Sequence, residues 1–242
     1  MIIVLTVVLI SGAGLTTPQA AEWVVPPSVE TEIPFPAFAR TLELNGYVRL
    51  DCAGDETGRL VDCRVVAVTP EGLGFEEDAV TIAQTGRVAP SDGEVRRYQF
   101  GVPLRLADAD YPDPVPFKGK PPSRRVLQLG RELTGLLDTA TLISETIPSI
   151  DLGDDRRSRV EIWVAELFPT RERLLEIVSI VFARRYSEAE LEDLIAGRPT
   201  PARDRWPSDV EILAEAVDMF DWRAATRTLR ERYCSEYDCR QP

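Results

Sequence analysis

The sequence predicts an α+β protein, with a small antiparallel sheet packed on helices followed by an all-α helical domain. Three observations carry this. Between Gly46 and Leu106, three runs alternate apolar and polar residues at the period of a strand, with one short helical stripe among them. Asp108 to Pro122 then holds five prolines (Pro112, Pro114, Pro116, Pro121 and Pro122), and composition changes there. Beyond that stretch every apolar pattern recurs at helical spacing.

Taken in order, Met1 to Leu15 is almost wholly apolar, and Thr17-Pro-Gln-Ala-Ala21 offers small residues for signal-peptidase cleavage near Ala20 or Ala21. The run is shorter than a typical spanning helix, so a secretory signal over residues 1–21 is expected. No Lys or Arg precedes it, which leaves open an uncleaved segment kept as an inner-membrane anchor. Residues 22–36 contain Pro26, Pro27, Pro34 and Pro36 and read as an extended spacer. At full stretch it would reach about 50 Å.

Ala37 to Leu44 reads as a short helix feeding the first strand. Gly46 to Cys52 and Leu60 to Val68 form a hairpin around Gly54-Asp-Glu-Thr-Gly58. Pairing Cys52 with Cys63 sets Leu50 opposite Val65 and Val48 opposite Ala67. That register gathers both cysteines and the apolar residues on one face. Phe75, Ala79 and Ile82 or Ala83 give a helical stripe expected on that face. The last strand, Arg97 to Leu106, alternates Tyr98, Phe100, Val102, Leu104 and Leu106 with Gln99, Gly101, Pro103 and Arg105. Pro103 cannot donate to a ladder and points to an edge or a bulge.

In the second half, Val126, Leu129, Leu133, Leu136, Leu137 and Ala140 make one helical stripe. Val160, Trp163, Val164 and Leu167 make another. Leu174 to Phe182 is apolar nearly all round, so it is expected at the centre. Ser187-Glu-Ala-Glu190 is a capping box opening a helix that Gly197 and Pro199 stop. Ser208 caps a helix carrying Val210, Ile212, Leu213, Ala216 and Phe220. The last helix carries Trp222, Ala225, Leu229 and Tyr233. The expected organisation is residues 1–21 signal, 22–36 spacer, 37–107 sheet domain, 108–122 linker and 123–242 helical domain.

Composition narrows the function. The net charge of −12 argues against nucleic acid and anionic membrane surfaces as partners, and it also serves solubility. There is no histidine, so the commonest general base and metal ligand is missing. Membrane contact is expected only if the N-terminal segment stays attached. The four cysteines fit an exported protein with two bridges, Cys52–Cys63 and Cys234–Cys239. A four-thiolate metal site would need the two-residue spacing that neither pair has. Asp51, Asp55, Glu56 and Asp62 cluster at the hairpin, but their spacing fits no EF-hand loop, and a solvated turn is expected. Glu76-Glu-Asp78 suits a helix N-terminus. Arg156-Arg-Ser-Arg159 is expected as a solvated loop, with docking of a carboxylate-bearing partner as the rival. No nucleophile elbow, P-loop or dinucleotide fingerprint occurs. The expectation is a non-enzyme with no catalytic residues, no cofactor and no metal.

Six pieces in fixed order carry a family resemblance: Pro36-Ala-Phe-Ala-Arg40, Gly46-Tyr-Val-Arg-Leu-Asp-Cys52, Gly58-Arg-Leu-Val-Asp-Cys63, Gly72-Leu-Gly-Phe-Glu-Glu-Asp-Ala79, Arg87-Val-Ala-Pro90 and Phe100-Gly-Val-Pro-Leu-Arg-Leu106. Over roughly residues 34–107 the chain resembles the carboxy-terminal domain of TonB-type energy transducers. One departure is that Gly86 and Val88 flank Arg87 where the family carries aromatic residues. The resemblance implies a periplasmic module that recognises an envelope protein, such as an outer-membrane transporter, by strand addition. It implies a link to energy-dependent transport across the outer membrane. It places recognition on the last strand, at Arg97, Tyr98, Gln99, Phe100 and Gly101, with Arg97 attracting acidic groups. The short spacer favours a free-standing module. Phe168-Pro-Thr-Arg-Glu-Arg-Leu-Leu175 and Tyr186-Ser-Glu-Ala-Glu-Leu-Glu-Asp-Leu194 faintly resemble an uncharacterised family of exported helical domains. The alternative function is a non-catalytic structural or assembly factor of the envelope acting through its helices.

Overall fold

The computed structural model describes residues 19–27, 35–90, 95–106 and 113–240. The Met1–Leu15 run, Pro34 and Asp108–Pro112 lie outside them. The described residues are 49% helix and 17% strand, with small antiparallel sheets. The elements are β1 (Gln19–Ala20), β2 (Trp23–Val25), α1 (Ala37–Thr41), β3 (Gly46–Gly54), β4 (Leu60–Thr69), α2 (Phe75–Thr85), β5 (Arg87–Val88) and β6 (Arg96–Leu104). Then follow α3 (Arg124–Leu136), α4 (Ala140–Thr146), α5 (Asp154–Leu167), α6 (Arg171–Arg185) and α7 (Glu188–Ile195). A 3-10 turn (Pro201–Arg205), α8 (Asp209–Glu215) and α9 (Trp222–Glu236) complete the order. Two compact units result. The first draws on Val48–Val68, Glu76–Pro103 and the described part of Met1–Ile33; the second on Pro34–Tyr47, Thr69–Phe75 and Leu104–Pro242.

The first unit is built on a sheet of order β1-β6-β3-β4, with a separate β2–β5 pair. The Cys52–Cys63 bridge joins β3 to β4 across a Cα separation of 4.0 Å. Val48, Leu50 and Cys52 of β3 are fully buried, as alternation requires. The other half of the expected apolar face is not covered. Val61, Val65 and Val66 are 43%, 40% and 42% exposed. Val65 and Val66 are neighbours in sequence, so β4 is open on both faces. Two causes are visible. Among the described residues no strand pairs with β4 on its outer side, and Asp62 adopts φ 46°, which interrupts the two-residue period just before Cys63. The helical stripe of α2 is buried as expected, with Ala79, Ile82 and Ala83 all inside.

Two further differences concern strand count. Three strands were expected, whereas β1 adds a fourth to the sheet. Val88, which the sequence pattern assigns to no strand, pairs with Trp23.

The second unit is mostly helical. A hydrophobic core within it gathers Leu129, Leu133, Leu174, Ile177, Val178, Val181, Phe182 and Leu191, with α6 contributing most. That fits the near-continuous apolar run read there. The helix α3 packs on α6 and α7. At the α3–α6 crossing the residues are small. A Cβ on Gly130 would lie 2.4 Å from the Ser179 carbonyl oxygen, so only glycine allows this approach. The buried hydroxyls beside it are satisfied: Ser179 Oγ donates to Leu175 O at 2.7 Å, and Thr134 Oγ1 donates to Gly130 O at 2.9 Å. Gly130→Ala is expected to destabilise the protein by about 1–3 kcal/mol through overpacking. A urea midpoint unchanged from wild type would mean the two helices separate without resistance.

The capping box at Ser187 and Glu190 is present, and Ser208 with Glu211 forms a second. The stripe from Val126 to Ala140 is not one helix. Leu137 turns extended, and Asp138 Oδ1 accepts the Ala140 N–H, which starts α4 afresh. Arg156 to Arg159 is not a solvated loop but the first turns of α5. Arg156 donates to the Glu71 carbonyl at 2.6 Å and to the Tyr233 hydroxyl at 3.2 Å. Arg159 pairs with Glu236, so the run already meets a carboxylate of its own chain. Phe38 and Tyr233, both fully buried, meet edge to face at 5.5 Å. The Cys234–Cys239 bridge ties the last turn of α9 to the residues after it.

The described part of the proline stretch is docked on helices. The Val115 N–H donates to Ala214 O at 3.2 Å, and the Arg184 guanidinium lies 4.5 Å over the Phe117 ring. Among the described residues no helix is long and apolar enough to cross a membrane.

Candidate functional site

The five residues singled out on the last strand, Arg97 to Gly101, all lie on β6. Their side chains divide by alternation. Tyr98 is buried on the apolar face, Phe100 is half-buried on it, and Arg97 and Gln99 lie on the polar face. Pro103 is exposed near the end of the strand.

On the polar face Arg97 organises a network. Its Nε donates to Asp51 Oδ1 at 2.6 Å, and its terminal nitrogens donate to Asp62 Oδ2 at 3.0 Å and Asp51 O at 3.0 Å. A fourth bond reaches Asp62 O at 3.3 Å. Gln99 Nε2 donates to Asp51 Oδ2 at 3.4 Å. One guanidinium therefore links β6, β3 and β4, and it holds Asp62 by both side chain and backbone. Asp62 occupies the left-handed region that aspartate tolerates better than most residues. The Arg97 bond, with Arg64 nearby, keeps the Asp62 carboxyl below its ordinary pKa. Its stabilisation is full above that ordinary value and fades as pH falls through the lowered one. The same bonds raise the pKa of Arg97. Arg97 was expected to attract acidic partner groups. Its side chain is only 23% exposed and already meets two carboxylates, so that role does not fit the geometry.

The hairpin acid Asp55 is likewise engaged. Asp55 Oδ1 accepts from Thr57 N at 2.8 Å, Thr57 Oγ1 at 2.8 Å and Arg59 N at 2.9 Å, which closes the turn. These bonds, led by the Thr57 hydroxyl, lower the Asp55 pKa. Among the described residues no group of three or more Cys, Asp or Glu side chains is arranged to hold a metal ion.

The outer edge of β6 has an occupant. The chain's own Gln19–Ala20 runs parallel to it, with Gln19 opposite Tyr98 and Ala20 opposite Gln99. The segment then continues into β2. The Trp23 ring meets the Phe100 ring edge to face at 4.9 Å. Trp23 pairs with Val88, and Val25 with Arg87, across a register shift. Gly86 makes room for this strap: a Cβ there would lie 2.8 Å from the Trp23 ring and 2.9 Å from Pro27. The small residues beside Arg87, which depart from the TonB pattern, are thus where the strap lies.

Reading residues 19–25 as a cleavage region and spacer missed this strap. A cue was available in Trp23-Val24-Val25, an aromatic and two β-branched residues bounded by Glu22 and Pro26. Comparison with family models, curated proteins and solved structures finds no match to this chain.

Proposed function

We propose that this chain is an exported, non-catalytic, TonB-like binding module that accepts an extended segment of an envelope protein on the outer edge of β6. The observation that carries the reading is the parallel pairing of Gln19–Ala20 with Tyr98 and Gln99. This edge receives an extended segment within the chain itself. Backbone bonds along the edge supply affinity, and side chains at alternate positions supply selectivity. With Arg97 tied to Asp51 and Asp62, selectivity falls to Phe100 and the hollow at Gly86, where an aromatic side chain such as Trp23 seats. The TonB resemblance of residues 34–107 adds the compartment, the periplasm, and the partner class, an outer-membrane transporter with a role in energy-dependent transport. The same resemblance supports a TonB-like fold for the sheet domain, and the helices from Arg124 onward support a helical domain after it.

The test uses two variants of opposite expected sign. Gln99→Pro removes a backbone donor and should weaken an extended partner peptide about tenfold, or 1.4 kcal/mol. The double variant Gln19→Pro, Ala20→Pro strips the occupant of its donors and should strengthen the same peptide. Binding is titrated with a peptide from whichever envelope protein the chain captures, and circular dichroism checks the fold. If both variants stay folded and bind as wild type does, the edge is not the recognition surface.

A further inference from the structure

A cleft of about 610 Å³ opens within the second unit, in the size range of small-molecule sites. Its apolar wall includes Leu213 and Val217 together with three aromatic rings. Phe168 lies 6.3 Å from Phe220, and Phe220 meets Trp222 edge to face at 4.5 Å. The rest of the lining is polar: Thr41, Thr146 and Thr226 stand beside Arg40, Arg227 and Arg230 and two acids, Glu43 and Asp221. Asp221 is committed as the cap of α9, accepting the Ala224 N–H at 3.0 Å. Glu43 comes no closer than 3.9 Å to Arg230. The cleft thus carries surplus positive charge in a chain whose net charge is −12. The Trp222 ring lines the cleft, while its indole N–H is buried away from solvent.

We propose that this cleft binds a small single-chain carboxylate, an anionic head on an apolar body. Guanidinium groups match a planar carboxylate. The aromatic wall receives the hydrocarbon. This site is separate from the β6 edge, and its test does not depend on the peptide reading.

The full chain is titrated calorimetrically with decanoate as the probe. Saturable binding at one site is expected. Decyltrimethylammonium, with the same tail and the opposite charge, should not bind, and butyrate should bind more weakly for lack of a body. Replacing Arg227→Gln together with Arg230→Gln should weaken decanoate by at least about tenfold. Arg40→Gln, at an exposed position, is the second variant should the pair perturb the fold. Trp222→Phe should abolish the change in tryptophan emission that decanoate causes. Equal binding of the ammonium analogue, unchanged affinity in the folded arginine variants, or no saturable binding would overturn the proposal. Binding to phosphatidylglycerol vesicles without binding of monomeric decanoate would overturn it in favour of a membrane surface.

Discussion

Replacing Phe182 by alanine is expected to destabilise the helical unit by about 3–5 kcal/mol, the largest effect of any single change considered. Phe182 is 1% exposed and sits among Leu129, Leu133, Ile177 and Val178 in the main core. It stacks on Tyr186 at 6.2 Å and tilts against Trp206 at 5.1 Å. Truncation removes the ring's burial and leaves a cavity that several helices must share. Whole domains are stable by only about 5–15 kcal/mol, so the variant should lie close to unfolding at 37 °C. Urea denaturation followed by circular dichroism would measure it, with Trp206 as a local fluorescence reporter. A loss under about 1 kcal/mol would mean the helices collapse into the space, and the core is not held as tightly as its burial suggests.

The second large effect belongs to the Cys52–Cys63 bridge. It closes a sequence separation of 11, for which chain entropy gives about 2.8 kcal/mol. Its position adds to its importance. Cys52 is buried in β3, while β4 is an edge strand with exposed valines on both faces. Apart from its pairing with β3 and the Arg97 bonds to Asp62, little else fastens β4. Replacing both cysteines by alanine should lower the urea midpoint and speed amide exchange in β4 before the rest of the sheet. Removing Cys234–Cys239, with a separation of 5 near the C-terminus, should cost less. Peptide mapping without reductant should recover both bridges unmixed. Equal losses from the two deletions would mean that β4 is anchored by something other than the disulfide.

Local rules made much of this fold legible. The α6 run needed only its continuous apolar pattern, and the Ser187 box needed only its spacing. Cys52 and Cys63 were set by strand period and a turn. What escaped were features that depend on which surface a neighbour happens to cover. Val61 and Val65 have the pattern of a buried face, yet both stay about two-fifths exposed. Arg97 looks like a free surface cation on its strand, but Asp51 and Asp62 come from two other strands. The break at Asp138 interrupts a stripe whose apolar residues run on without a gap, because one aspartate accepts the Ala140 N–H. The cleft beside Trp222 was the least visible, since its lining comes from segments as far apart in the chain as Arg40 and Arg230.

The strap on β6 has a consequence for how affinity would be measured. On the proposed reading, an outside peptide would meet an edge that is vacant only in the fraction of molecules whose Gln19–Ala20 segment has lifted. Its apparent dissociation constant is the intrinsic one divided by that fraction. The segment competes from within the same chain, so diluting the protein does not relieve it. A chain cut after Ala20 or Ala21 would lack the two paired residues, and every molecule would present the vacant edge. Tighter binding would then follow with no new contact to the peptide, and the difference between cut and uncut chains would report the population that the strap holds closed.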